Sequence, residues 1–284
     1  MSYFISLILL ILNLSSAYAA TSEHIMPTEP QVWLDQDIKH YLEDSEVINI
    51  TVDEKPINVI FQTYMNAEKK GIAIILPDVG HPQLSTNGSQ YLKESLSDDG
   101  YDIYVLPAPK VLYESLEIPD LTQDQEQQAS HFANAVYFQS ESMLNEYKNE
   151  LAARFQALTQ ELMMMPDEQL IVIALGTSAG MIAELIAEQP DLPVDALITI
   201  SAHLPHPKRN KDLAATLSLV SPPLLDVFYS TDGPAVTQSI ANRTRWAKRN
   251  SKYDYRQREL FGQSHELRQH QRLRKEVNGF LSHL

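Results

Sequence analysis

The sequence predicts an α/β protein: a mainly parallel β-sheet with helices on both faces, preceded by an antiparallel strand pair. Three observations predict it. Beyond residue 70, short apolar runs alternate with segments of helical periodicity, the pattern of right-handed strand–helix–strand crossovers. Those runs are apolar throughout instead of alternating, as strands covered on both faces are. Ahead of them, two β-rich segments flank a four-residue turn. A chain of 284 residues, 44% hydrophobic and 21% charged, is long enough to bury such a sheet.

The elements follow in order. Phe4 to Leu14 is almost wholly apolar, and Ala17-Tyr18-Ala19 supplies small residues at A-x-A spacing. This predicts a signal peptide over residues 1–19, cleaved after Ala19, and a periplasmic or secreted protein. No Lys or Arg precedes the apolar run, so an uncleaved anchor is the alternative. Residues 20–284 then form a single domain. Residues 20–30 read as a polar leader and Gln31 to Leu42 as a short helix. Val47–Val52 and Ile57–Tyr64 read as the antiparallel pair, turning at Asp53-Glu54-Lys55-Pro56.

Gly71–Leu76 is a buried strand. Tyr91–Leu96 is helical and stops at Asp99-Gly100, a helix-ending glycine. Tyr101–Leu106 is the next strand. Residues 108–140 are acidic, Gln-rich and irregular, and read as an insertion. Leu144, Tyr147, Leu151, Phe155, Leu158 and Leu162 recur every three or four residues, the stripe of a long helix that Pro166 closes. Strands follow at Leu170–Leu175, Ala196–Ile200, Leu224–Tyr229 and Tyr253–Leu260. Helices are expected from Gly176 to about Glu188, over Ala235–Lys248, and from Leu267 to the C-terminus.

Charge and composition narrow the partners. The net charge of −15 disfavours nucleic acid. Residues 201–284 carry 14 Lys and Arg against 7 Asp and Glu, so the first 200 residues hold the acidic excess. Two halves that neutralise each other explain this. A basic face near anionic lipid is the other reading, and no dense basic cluster accompanies it. The absence of cysteine excludes disulfides and Cys-ligated metal. His203-Leu-Pro-His206 has no third ligand at metal spacing.

Glycine is scarce, 9 in 284, so its positions are informative. Gly176-Thr177-Ser178-Ala179-Gly180 matches G-x-S-x-G, a pattern that composition alone would produce about 0.02 times in this chain. It follows an apolar strand and opens a helix, the context of a nucleophile elbow. Such a bend puts the serine in a strained conformation and presents its oxygen. The helix's first amides then point at any oxyanion formed beside it. Side chains at Gly176 or Gly180 would meet neighbouring elements. The alternative is a tight turn with a structural serine.

A nucleophilic serine needs a base and an orienting acid. His265 lies between the last strand and the last helix. Asp232 follows the strand before, with Asp226, in mid-strand, as runner-up. Backbone amides of Ala179, Val79 and Asp78 are the candidate oxyanion hole. An inward carboxylate at Asp78 would repel the oxyanion, and losing one donor would cost about 10²–10³ in rate.

From Gly71 onward these marks together resemble the α/β-hydrolase superfamily: the loop P-D-V-G-H-P, the strand Y-D-I-Y-V-L-P, the elbow G-T-S-A-G, then S-T-D-G and G-Q-S-H. The tail also resembles an exported bacterial family, domain-of-unknown-function family three-five-three-zero, related to α/β-hydrolases and without an assigned substrate. The resemblance implies a serine hydrolase acting on an ester, thioester or amide through Ser178, His265 and Asp232. Its partner would be a small-molecule or acyl substrate, with no metal or organic cofactor. A non-catalytic periplasmic binding or assembly module on the same fold is the competing expectation.

Overall fold

A computed structural model describes residues 30–83, 88–109, 140–162 and 168–284. The signal-peptide and leader segments, nearly all of the 108–140 insertion and Pro166 lie outside the described residues. The chain divides into Met1–Trp33, which contributes the opening of the first helix, and Leu34–Leu284, which holds everything below. No helix among the described residues is long and apolar enough to cross a membrane.

Helix α1 (Pro30–Tyr41) leads to β1 (Val47–Val52) and β2 (Lys55–Gln62), paired antiparallel with Val47 opposite Ile60. The turn residues Asp53 and Glu54 both take positive φ, which brings the two strands back to back over two residues. The remaining elements are β3 (Gly71–Leu76), α2 (Ser89–Asp98), β4 (Tyr101–Val105), α3 (Glu141–Glu161), β5 (Gln169–Leu175) and α4 (Gly176–Glu188). They continue with β6 (Ala196–Ile200), α5 (Pro207–Leu219), β7 (Leu224–Tyr229), α6 (Pro234–Thr237), α7 (Ile240–Arg249), β8 (Tyr255–Leu260) and α8 (Leu267–Leu281).

The eight strands form one sheet in the order β1-β2-β4-β3-β5-β6-β7-β8. β2 pairs β4 antiparallel, and every neighbour from β4 to β8 is parallel. Side chains of the central strands alternate between two cores. Ile72, Ile74, Leu170, Val172 and Leu197 face the α3, α4 and α5 side, where Leu151, Phe155, Ile182 and Leu213 meet them. Ala73, Ile75, Ile171, Ile173 and Ile198 face α2 and α8, against Leu92, Leu96, Leu273 and Val277. Both faces are therefore dry, which explains why these strands read as unbroken apolar runs. The α8 helix is also tied to the turn ahead of β4: Arg274 and Asn278 both donate to the Asp99 carboxylate.

Three elements differ from the sequence expectation. β8 starts at Tyr255, because Tyr253 points into solvent at 92% exposure. Its sequence YRQREL is half-exposed and charged, as suits an edge strand that must not recruit another chain. The expected helix over Ala235–Lys248 is two helices, α6 and α7, parted at Gln238-Ser239. Helix α5 was not foreseen. His206 caps it by accepting from the Arg209 amide, Pro207 occupies its first turn, and Leu213, Ala214 and Leu217 form its buried side. Its signal was masked by Lys208, Arg209 and Lys211, which sit at the end where the helix dipole disfavours cations.

The largest buried polar group joins β7 to α7. The Asp226 carboxylate accepts from Arg243, Thr199, Tyr255 and Gln257, and both Asp226 and Arg243 are fully buried. Arg243 also donates to the Ala202 carbonyl and to Ser239. Through Ala202 it fixes the loop that leaves β6.

Candidate functional site

Ligands in open parallel sheets bind beyond the carboxyl ends of the strands. There, loops after β3, β5, β6, β7 and β8 surround a crevice of about 310 Å³. The end of β5 sets its floor. The strand runs to Leu175, and the chain turns into α4 at Gly176, which has φ +55. This is the elbow's strained position, and it holds a glycine. Ser178 lies two residues further on, inside the first turn of α4 and fully buried. Its hydroxyl donates to the Pro77 carbonyl at 2.6 Å, so Tyr147 is the donor in the 2.9 Å contact between the two hydroxyls. Ser178 therefore ties α4 to the β3 loop and to α3, and does not face the crevice.

Asp78 occupies the space that an elbow side chain would take. A Cβ built on Gly176 would overlap the Asp78 carboxyl group. Asp78 Oδ1 accepts from the Thr177 and Val79 amides, each at 2.7 Å. Thr177 follows the bend residue and Val79 belongs to the β3 loop, so these are the two amides that an oxyanion hole would use. With the bend at Gly176, the role expected of the Ala179 amide falls to Thr177. The inward carboxylate considered from the sequence is present, and it fills the cradle. The second elbow glycine, Gly180, is needed for packing, since its Cβ would stand 2.6 Å from the His203 carbonyl.

Asp232, after β7, does line the crevice. Its Oδ2 accepts from the Ser201 hydroxyl at 2.7 Å and from the Tyr229 amide at 2.8 Å. His265 is exposed, and the crevice wall at that point is its neighbour Ser264. Of the three proposed triad members, only Asp232 faces this space. Asp226, the runner-up acid, is sealed in the core with Arg243.

Sequence reasoning missed Ser201 and Tyr229; His203 was read, from its place after β6, as a residue that could only line the rim. Ser201 follows β6 with φ +53, an unusual conformation for a serine that costs about 1–3 kcal/mol and tends to mark functional sites. His203 turns its Nδ1 to the Ser201 carbonyl and its Nε2 to the Thr177 hydroxyl. A carbonyl only accepts, so Nδ1 carries the proton. His81 does the same toward the Val79 carbonyl. Tyr229 is buried, and its hydroxyl has no partner among the described residues. The signal for Ser201 and His203 was their place just past a buried strand's end; nothing in the pattern distinguished Tyr229 from a core aromatic. No group of three His, Asp or Glu among the described residues is placed to hold a metal ion.

Burial raises the phenol pKa of Tyr147, Tyr229 and Tyr255, with Asp232 adding to it at Tyr229 and Asp226 at Tyr255. In the unfolded chain these groups ionise near their ordinary value of 10.0. The folded state thus holds its protons longer. Each tyrosine's contribution is complete below pH 10 and declines by about 1.4 kcal/mol per pH unit above it. Urea unfolding between pH 9 and 11 should show a steep loss of stability that starts near pH 10, and Tyr255→Phe should shallow it.

A family model described as "Protein of unknown function (DUF3530)" matches residues 5–283. No curated protein matches the sequence. Among solved structures, the fold is similar to a dienelactone hydrolase from Anabaena variabilis, with TM-score 0.57 and 17% identity over 84% of this chain and 96% of that one. It is also similar to Est1E from Butyrivibrio proteoclasticus, with TM-score 0.58 and 11% identity over 84% and 99%. The esterase domain of a Rhodothermus marinus protein aligns with TM-score 0.55 and 10% identity over 82% and 96%. The chain has the α/β-hydrolase fold.

Proposed function

We propose, for a chain that belongs to the DUF3530 family, that it is a non-catalytic binding protein which uses the crevice of an α/β-hydrolase fold to hold a small molecule. One observation carries this reading. The bend residue is Gly176, and the two amides beside it already bond the Asp78 carboxylate. A serine mechanism requires a nucleophile at that bend and an empty cradle for the oxyanion. The crevice itself supports binding. It is of ligand size, walled by Leu175, Ile200 and Val236, and edged by polar groups. The apolar run Phe4–Leu14 with Ala17-Tyr18-Ala19 supports a place of action outside the cytoplasm.

The competing reading is an exported serine hydrolase acting through Ser178, His265 and Asp232, and the esterases of like fold favour it. It requires Ser178 to leave its bonds to Pro77 and Tyr147 and reach the surface. A fluorophosphonate probe separates the two. The folded wild-type chain should remain unlabelled, and Ser178→Ala should lose about 1–3 kcal/mol of stability, as expected when buried hydrogen bonds are left unmade. Labelling of wild type that disappears in Ser178→Ala would instead establish the hydrolase.

A further inference from the structure

The crevice has a distinctive charge. Asp78 and Asp232 both line it, and no Lys or Arg does. Neither carboxylate has an ion-pair partner among the described residues. Asp78 spends Oδ1 on two amides and keeps Oδ2 toward the space above Gly176. Asp232 spends Oδ2 on Ser201 and Tyr229, which leaves Oδ1. The two histidines donate from Nδ1 to backbone carbonyls. A buried phenol oxygen, that of Tyr229, stands beside these groups with no partner. Buried polar atoms of native proteins are almost always bonded, so an orphan in a crevice wall points to a missing ligand atom.

These groups want donors and positive charge. From them we infer that the crevice binds a small organic ammonium compound, its N–H groups shared between Asp78 Oδ2, Asp232 and the Tyr229 oxygen. Leu175, Ile200 and Val236 would cover the ligand's apolar part. A carboxylate ligand is disfavoured by the same arrangement, because the Thr177 and Val79 amides are already taken by Asp78. The inference rests on the binding reading above and gives it a ligand class.

The crevice volume equals roughly ten waters, at about 30 Å³ each, so a probe of some ten non-hydrogen atoms suits it. The full chain should be titrated with 2-phenylethylamine, 2-phenylethanol and phenylacetate, which share a shape and differ in charge, with binding followed by calorimetry and by the NMR shifts of crevice amides. The amine is expected to bind at least tenfold more tightly than phenylacetate. Asp78→Asn keeps an oxygen for the two amides and replaces Oδ2 by an NH₂ donor, so the fold should survive while amine affinity falls about tenfold or more. Preference for the alcohol or the acid, or amine binding unaffected by Asp78→Asn, would overturn the ammonium assignment and leave a binding crevice of another class. If none of the three moves the crevice amides, the binding reading itself fails.

Discussion

Gly176→Ser is expected to destabilise the protein by about 2–5 kcal/mol, although it restores the residue type that a serine hydrolase carries at its bend. Two costs combine: an L residue in the left-handed region at φ +55, and a side chain forced into the Asp78 carboxyl group. The second cost depends on Asp78. Asp78→Gly alone should cost about 1–2 kcal/mol, since two amides lose their acceptor at the edge of an open crevice. With both changes the clash is gone, so the double variant should be more stable than the sum of the singles by at least about 1 kcal/mol. Denaturant midpoints for the four proteins measure this. Strict additivity would mean that Asp78 does not fill the space above Gly176.

Removing Arg243 should have an effect of similar size for a different reason. Arg243→Met leaves the Asp226 carboxylate buried with only the hydroxyls of Thr199 and Tyr255 and the amide of Gln257. Breaking a buried pair from one side typically costs about 3–5 kcal/mol, most of it the isolated charge. Arg243→Met combined with Asp226→Asn removes both charges and should recover at least about 1 kcal/mol. The single variant should also disturb the crevice. Arg243 holds the Ala202 carbonyl, and Ala202 lies between Ser201 and His203. Amide shifts at Ser201 and His203 report this directly. Unchanged shifts would separate the ion pair from the crevice.

Much of the fold was legible because it depends on burial. β3, β6 and β7 appear at the residues their apolar runs mark, since each is covered on both faces and has no polar side to blur its limits. β8 was less legible, as an edge strand whose identity comes from pairing with β7 and not from its own pattern. The site was legible in place but not in register. G-x-S-x-G marked the strand-to-helix turn after β5 correctly. It could not show which residue takes the positive φ, because that depends on how far β5 stays paired. β5 remains in register with β6 to Leu175, so the bend falls on Gly176 and carries Ser178 half a helical turn too deep. Asp78 was visible as an awkward carboxylate. That its oxygen would satisfy two amides from separate segments follows only from the approach of the β3 loop to α4.

The tie between α8 and Asp99 spans 175 residues of chain. The apolar side of β3 and β5 that α8 shares with α2 stays only partly covered until the last segment has been synthesised. A growing chain therefore has only α2 to cover that surface, and contacts this distant in sequence form slowly. Completion of that side must wait for the finished polypeptide, so it is the part of the sheet that stays loose for longest.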